Sequence, residues 1–342
     1  MNANEQNFLP FYERLANYLP GYVASRVIAS ALLGLLFFVP HSLLGQPKSD
    51  ASDWSWFLAL LISVAMVCLY YATHTLGALS AEFNSRASSE EVKAYKYALG
   101  DVLSDWKFIQ GGIFFGGLNC AVGLYLGLPS NTPRVTILFG YFLAGFVGGM
   151  AVRGIYGVTK LLNAFSSKAK SSFDFTSPDG CGGTGFVGEA LIVFSSVFLI
   201  VGVMVSIYML RTTWTSPGRP GVNLLRIFWI FFPYLCSLVA LTGPAIPIAR
   251  ELKRYKIEEE LNLQHRLKET RGGLDDPKRA ADRKDLREQN DDLQNQRKVL
   301  YAMRTWPFGL GANLKYFGIL AVNVSAHVSG ATKLVQGWFS AS

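Results

Sequence analysis

Six apolar stretches, each about as long as a bilayer's hydrocarbon core is thick, dominate this chain and restrict what it can fold into. A helix rises about 1.5 Å per residue, so roughly 20 apolar residues cross a core of about 30 Å. The stretches lie at about 22–39, 54–73, 109–128, 135–158, 186–210 and 224–246, the first ending at Pro40. In lipid every backbone N–H and C=O must be satisfied inside the segment, which makes such runs helices. Only 16% of the 342 residues are charged, against about 25% in a typical soluble domain, so an ordinary soluble enzyme is set aside. The predicted fold is all-α: an interfacial helix over 1–21, a six-span transmembrane domain over 22–248, a cytoplasmic antiparallel helical hairpin over 249–304 and an amphipathic membrane-return segment over 305–342.

The formal net charge is +8, and its placement gives orientation. Arg14 and Arg26, then Arg86, Lys93, Lys96 and Lys107, then Arg153, Lys160, Lys168 and Lys170 fall on one face, together with most of the carboxy-terminal charge. The opposite connections carry Lys48, Arg134, and Arg211 with Arg219. By the positive-inside rule both termini are expected in the cytoplasm. This accounts for the basic balance through the lipid bilayer as partner, without nucleic acid. Glu5, Glu13 and Arg14 precede the first run, which is the wrong leader for a cleaved signal, so the first span is expected to act as an anchor.

Outside the spans, Ser88 and Glu91 have capping-box spacing, and Val92, Tyr95, Leu99, Val102 and Trp106 continue as an amphipathic helix. The hairpin is expected as one helix from 249 to 270, a break at Gly272-Gly273, and a second from Pro277 to Met303. Leu286, Leu293 and Leu300 form its stripe, while Gln289 and Gln296 thin it, so it needs a further surface: a soluble protein partner or other copies in a homo-oligomer. Trp306-Pro307-Phe308 then returns the chain to the interface. Leu314, Phe317, Ala321, Val324, Val328, Ala331, Val335 and Trp338 mark a helix lying flat on the inner leaflet, with entry of 317–324 into the membrane as the alternative.

Residues 180–185 read Gly-Cys-Gly-Gly-Thr-Gly. They fit Gly-x-Gly-x-x-Gly formally, but no βαβ unit surrounds them. The physical reading is a sharp bend exposing amides where a helix begins, able to hold an anion or a polar partner. Asp179 and Glu189 flank it, and Glu189 lies one turn into the span, facing water or a partner or offsetting its own helix dipole. The run from Ser177-Pro178-Asp179 through Gly182-Gly183-Thr184-Gly185-Phe186-Val187-Gly188 resembles the His-Pro-Asp-x-x-Gly-Gly-Leu-Gly-Phe-Leu-Gly loop of a group of uncharacterised bacterial polytopic membrane proteins, as does the Trp306-Pro307-Phe308 return. Ser177 stands for the histidine and Thr184 for the leucine. The resemblance implies a bacterial inner-membrane protein and carries no activity.

Gly112 and Gly116, Gly123 and Gly127, and Gly145 and Gly149 have the spacing that lets two membrane helices approach closely, within one subunit or between subunits. Asn119 is placed to bond across to a neighbouring helix, and Pro233 to kink the sixth span, whose inner end Pro244 and Pro247 loosen. Arg26, His74 and Arg153 are read as snorkelling. Cys68, Cys120 and Cys236 are read as packing residues and Cys181 as exposed. His41, His74, His265 and His327 are too far apart for a zinc pair, and no Walker loop or nucleophile elbow occurs, so neither catalytic residues nor a cofactor or metal are assigned. Asp179, Glu189, Asn119 and Arg153 are the candidate pore or regulatory residues. The functional expectation is a homo-oligomeric channel or pore subunit gated from the cytoplasm. A membrane-anchored scaffold recruiting a soluble partner through the hairpin is the alternative, and a small-solute transporter the third.

Overall fold

The computed structural model describes residues 10–19, 21–44, 54–86, 99–100, 103–128, 133–166, 173–212, 214, 221–275, 283–308 and 318. The fold is all-α. In chain order the helices are α1 (Phe11–Ala16), α2 (Tyr22–Leu44), α3 (Ser55–Arg86), α4 (Asp105–Leu126), α5 (Arg134–Ser166), α6 (Gly185–Arg211), α7 (Val222–Thr242), α8 (Ala245–Asp275) and α9 (Arg283–Ala302). Six of them, α2 to α7, carry stretches long and apolar enough to cross a membrane. Sequential spans pair as α2–α3, α4–α5 and α6–α7, and α3 sits centrally against α2, α5 and α6.

The helices overrun the apolar stretches where amphipathic packing takes over from lipid. α2 continues through Pro40 to Leu44, because His41 Nδ1 and Thr136 Oγ1 hydrogen-bond at 2.9 Å and pin its last turn to α5. α3 runs 13 residues past Thr73, about 20 Å further. There Leu76, Leu79 and Phe83 recur at helical spacing and are buried with Leu161 and Leu162 of α5, Val187 and Leu191 of α6, and Ile248 and Leu252 of α8. This core binds the charged helices to the ends of the spans. α8 passes straight through Gly272-Gly273 to Asp275. Neither glycine adopts a positive φ, and a helix already formed tolerates glycine at about 1 kcal/mol each. α8 is therefore about 45 Å long, and it packs on α9 through Leu263, Leu267, Leu293 and Leu300. Most of the amphipathic stretch over 88–106 and nearly all of 310–338 lie outside the described residues, as do the start of the second hairpin helix and residues 1–9.

The glycine contacts of the third and fourth spans are made inside the chain. A Cβ added at Gly149 would sit 2.2 Å from Gly111 O, and one at Gly145 would sit 2.5 Å from Phe115 O. Gly112, Gly116 and Gly123 accept the rings of Phe146, Phe142 and Tyr141. Gly127 has no place in this seam: it follows the last residue of α4 with φ +79° and ends the helix. Alanine at Gly149 is expected to destabilise the protein by about 1–3 kcal/mol, because the clash is with backbone and no rotamer relieves it. Alanine at Gly148, where an added Cβ meets nothing within 4 Å, is expected to be neutral or to stabilise by up to about 1 kcal/mol through helix propensity. Thermal unfolding in detergent compares the two.

Polar groups within the spans are matched across helices. Asn119 Nδ2 donates to Tyr141 O at 2.7 Å, joining α4 to α5. Ser195 and Ser237 exchange hydroxyl-to-carbonyl bonds of 2.7 and 2.8 Å between α6 and α7, and Tyr141 Oη and Tyr208 Oη hydrogen-bond at 3.2 Å. Pro233 lies within an unbroken α7, and the break falls after it at Gly243-Pro244.

The amino-terminal segment is fastened into the bundle. Tyr12 is buried against Tyr70 and Phe108, and its hydroxyl hydrogen-bonds Thr73 Oγ1 at 2.8 Å. Arg14 pairs with Asp105, whose carboxylate also accepts from Phe11 N at 2.9 Å. Arg26 does not snorkel: it is buried, and its Nη2 donates to Glu13 at 2.5 Å, a carboxylate supplied by α1. A helix thirteen residues upstream thus meets the charge that lipid would reject.

Candidate functional site

The glycine-rich bend before α6 is a closed structure built on Asp179. Gly180, Gly182 and Gly183 have φ of +64°, +64° and +82°, conformations that residues with a Cβ adopt at a cost. They wrap the backbone around the Asp179 carboxylate. Its Oδ1 accepts from Cys181 N at 2.8 Å and Gly183 N at 3.0 Å, and its Oδ2 accepts from Gly185 N at 2.8 Å. Thr184 Oγ1 donates to Cys181 O at 2.7 Å. The amides that the sequence left for an external anion are occupied by this internal one. It also sits at the amino-terminal end of α6, where the helix dipole favours negative charge. Partial burial pushes the carboxyl pKa up, but the amides of Cys181, Gly185 and Gly183 and the Ser177 side chain pull it down further, leaving it below the ordinary carboxylate value.

This bend is where the charged helices meet the membrane bundle. Arg304 N donates to Gly180 O at 2.9 Å. Gly182 lies against Leu252 of α8 and Met303, and at Gly188 an added Cβ would fall 1.9 Å from Pro307 O. Phe308 is buried in the core shared by α3, α5, α6 and α8. Lys256 Nζ on α8 donates to Tyr301 O at 2.9 Å and Met303 O at 2.8 Å, holding the end of α9. Tyr301 and Arg297 converge on Glu260. The Trp306-Pro307-Phe308 return is therefore a foot seated on α6 rather than a free interfacial turn.

Cys181, expected to be exposed, is 1% exposed. Burial pushes its thiol pKa up, the Asp179 charge pushes it further, and Arg304 opposes both. Glu189 is exposed on α6 and lines an open cavity with Glu82, Thr75 and Phe186. Arg153 on α5 lies over the Tyr156 ring, 4.8 Å from its centroid. The four candidate residues thus occupy four separate places, and only Asp179 belongs to the junction. Sequence reasoning gave Gly188, Lys256 and Met303 no part in this junction; the one available signal was that Gly188 closes the resembling run.

Asp179→Asn replaces an acceptor with an amide that turns its own N–H toward at least one of the loop's donors. Labelling of Cys181 by a water-soluble maleimide is expected to be slow in the native protein and at least about tenfold faster in the variant, a change of about 1.4 kcal/mol in opening. The depressed pKa sets the sign of the pH dependence. The carboxylate's contribution is present above the unfolded-state value and is lost only as pH falls through the lower folded-state value. Protection of the Cys181, Gly183 and Gly185 amides from hydrogen exchange is therefore expected to persist through the ordinary carboxylate range and to fail below it.

No protein-family model matches this chain, and no curated protein or solved structure is significantly similar to it.

Proposed function

We propose that the chain is a multi-pass membrane anchor that presents α8 and α9 as a rigid docking element for a soluble protein, at the face where the positive charge concentrates. The charge distribution makes that the cytoplasmic face, and the loop's resemblance makes the membrane a bacterial inner membrane. The observation that carries the reading is the seat of residues 303–308 on α6: a helix pair merely standing in water has no need of a backbone contact at a glycine. Ile257 and Leu261, one turn apart on α8, are 51% and 60% exposed in an otherwise charged surface, the kind of apolar spot that a partner covers.

The pore reading drew on the glycine pairs, the glycine loop and the hairpin. Gly112, Gly116, Gly123, Gly145 and Gly149 are taken up by the α4–α5 contact, Gly127 ends α4, and the loop amides are taken up by Asp179. Photo-crosslinkers at Ile257 and Leu261 in cells are expected to give one discrete adduct with a soluble protein, absent when the probe is at Glu269. Proteoliposomes of the full chain are expected to pass no more ions than empty ones. Ion flux that scales with protein and survives deletion of 251–303, or adducts only to a second copy, overturns the proposal in favour of a channel.

A further inference from the structure

A cavity of about 580 Å³ opens between the amino-terminal segment and the inner end of α3. Glu13, Asn17, Tyr22, Arg26, His74 and Gly77 are on its wall. Its size falls within the range of small-molecule sites, roughly 300–1,000 Å³. Its depth is set by the chain: Tyr22 is the first residue of α2, and the apolar run of α3 gives way at Thr73-His74-Thr75. That is the level at which hydrocarbon yields to head groups, where tyrosine is enriched. Tyr22 is 55% exposed, and Val23 and Val27 beside it on α2 are exposed as well, so an apolar surface continues from the cavity toward the lipid.

Donors and acceptors lie side by side on this wall. The Arg26 guanidinium lies 3.6 Å from the Tyr22 ring centroid. Its Nη groups donate to Tyr22 O, Ser25 Oγ, Glu13 and Asn17 Oδ1, while its Nε is buried without a partner. His74 adds an imidazole, and Glu13 and Asn17 supply carboxylate and carbonyl oxygens next to the guanidinium. Arg26 and Glu13 cancel in charge, so the floor suits a ligand that carries both signs. A ligand with two net negative charges would have to face Glu13. We infer that this cavity holds the phosphoethanolamine head group of a zwitterionic membrane lipid, its phosphate toward Arg26 and His74, its ammonium toward Glu13 and Asn17, and its acyl chains along α2. The assignment is independent of the docking role of α8 and α9.

The test is native mass spectrometry of the full chain in detergent, titrated separately with dioctanoyl-phosphatidylethanolamine, dioctanoyl-phosphatidylglycerol and water-soluble O-phosphoethanolamine. Gly77→Phe places a ring on the cavity wall, at a position where an added Cβ meets nothing within 4 Å. Its unfolding temperature checks that it folds. The wild-type chain is expected to take up a single phosphatidylethanolamine in preference to phosphatidylglycerol. Binding should weaken at least about tenfold, or 1.4 kcal/mol, in Gly77→Phe and by less in His74→Ala. Equal uptake of the two lipids, or unchanged binding in a folded Gly77→Phe, overturns the inference. So does O-phosphoethanolamine binding as tightly as the lipid, which would make this a site for a soluble phosphate ester.

Discussion

Replacing Gly188 with alanine is expected to lift residues 303–308 off α6 and free the foot of the α8–α9 pair. The new Cβ would lie 1.9 Å from Pro307 O and 3.0 Å from Phe308 Cδ1. The first of these is backbone, so a side-chain rotation does not relieve it. Either α6 or the 303–308 segment has to move. The start of α6 is held by the Asp179 carboxylate, and Val187 and Leu191 on either side of Gly188 are fully buried. The segment yields instead, and with it go the Met303 and Phe308 side chains, each 3% exposed. Burying a methionine or phenylalanine is worth about 1.5–3 kcal/mol, so the two together bound the local loss at about 3–6 kcal/mol. Hydrogen exchange at the Arg304 amide, bonded to Gly180 O, is expected to rise at least about 100-fold, while the spans keep their protection. α8 and α9 stay paired through their own leucines. Gly272→Ala, where an added Cβ meets nothing within 4 Å, is the control that changes none of this. Unchanged exchange at Arg304 in Gly188→Ala would mean that the foot is not what fixes the helix pair.

The sequence made legible whatever the solvent dictates locally. Lipid demands continuous apolar helix, so six runs became six span-length helices. The overrun of α3 was also written in the chain, since Leu76, Leu79 and Phe83 keep a helical period. The polar residues Thr73, His74 and Thr75 end the hydrocarbon crossing but do not end a helix. Gly272-Gly273 misled for the opposite reason: glycine permits a break without requiring one. The bend at 180–185 was visible from its glycines, yet the anion it holds is Asp179, a residue that in one dimension only flanks it. Cys181 looked exposed because its neighbours are polar. It is 1% exposed, in a bend whose Gly180 carbonyl accepts from Arg304 N more than 100 residues away, a contact no local pattern encodes. Close approach of α2 to α3 had a readable signal as well. Ser30 and Gly34 repeat the small-residue spacing, and an added Cβ at Gly34 would meet Ser63 Oγ at 2.2 Å and Ala59 O at 2.7 Å.

Glu13→Leu is expected to be more damaging than removal of the whole ion pair. Arg26 is 8% exposed and Glu13 2%, so the leucine leaves a buried guanidinium without its charged acceptor, at a cost of about 3–5 kcal/mol. The double variant Glu13→Leu/Arg26→Met takes both charges out of the low-dielectric interior and should recover most of that loss, since apolar replacements of buried pairs are often neutral or stabilising by about 1–4 kcal/mol. α1 keeps its place in the double variant because Tyr12 remains bonded to Thr73 and Tyr70, and Phe11 N to Asp105. Glu13→Gln falls between the two. Burial pushes the Glu13 carboxyl above its ordinary pKa, with Arg26 pulling it down only in part. The folded state therefore holds the proton more tightly than the unfolded one, and this group's contribution declines as pH rises through the ordinary carboxylate value toward the folded one. Glutamine keeps an acceptor for Arg26 and imitates the protonated form that the site tolerates better. Denaturant unfolding of the parent, Glu13→Leu, Arg26→Met and the double variant in detergent gives the coupling energy, expected to reach at least about 2 kcal/mol. Single variants each within about 0.5 kcal/mol of the parent would show instead that the cavity above the pair is wet enough to solvate both charges, in which case α1 is held by Tyr12 and Asp105 alone.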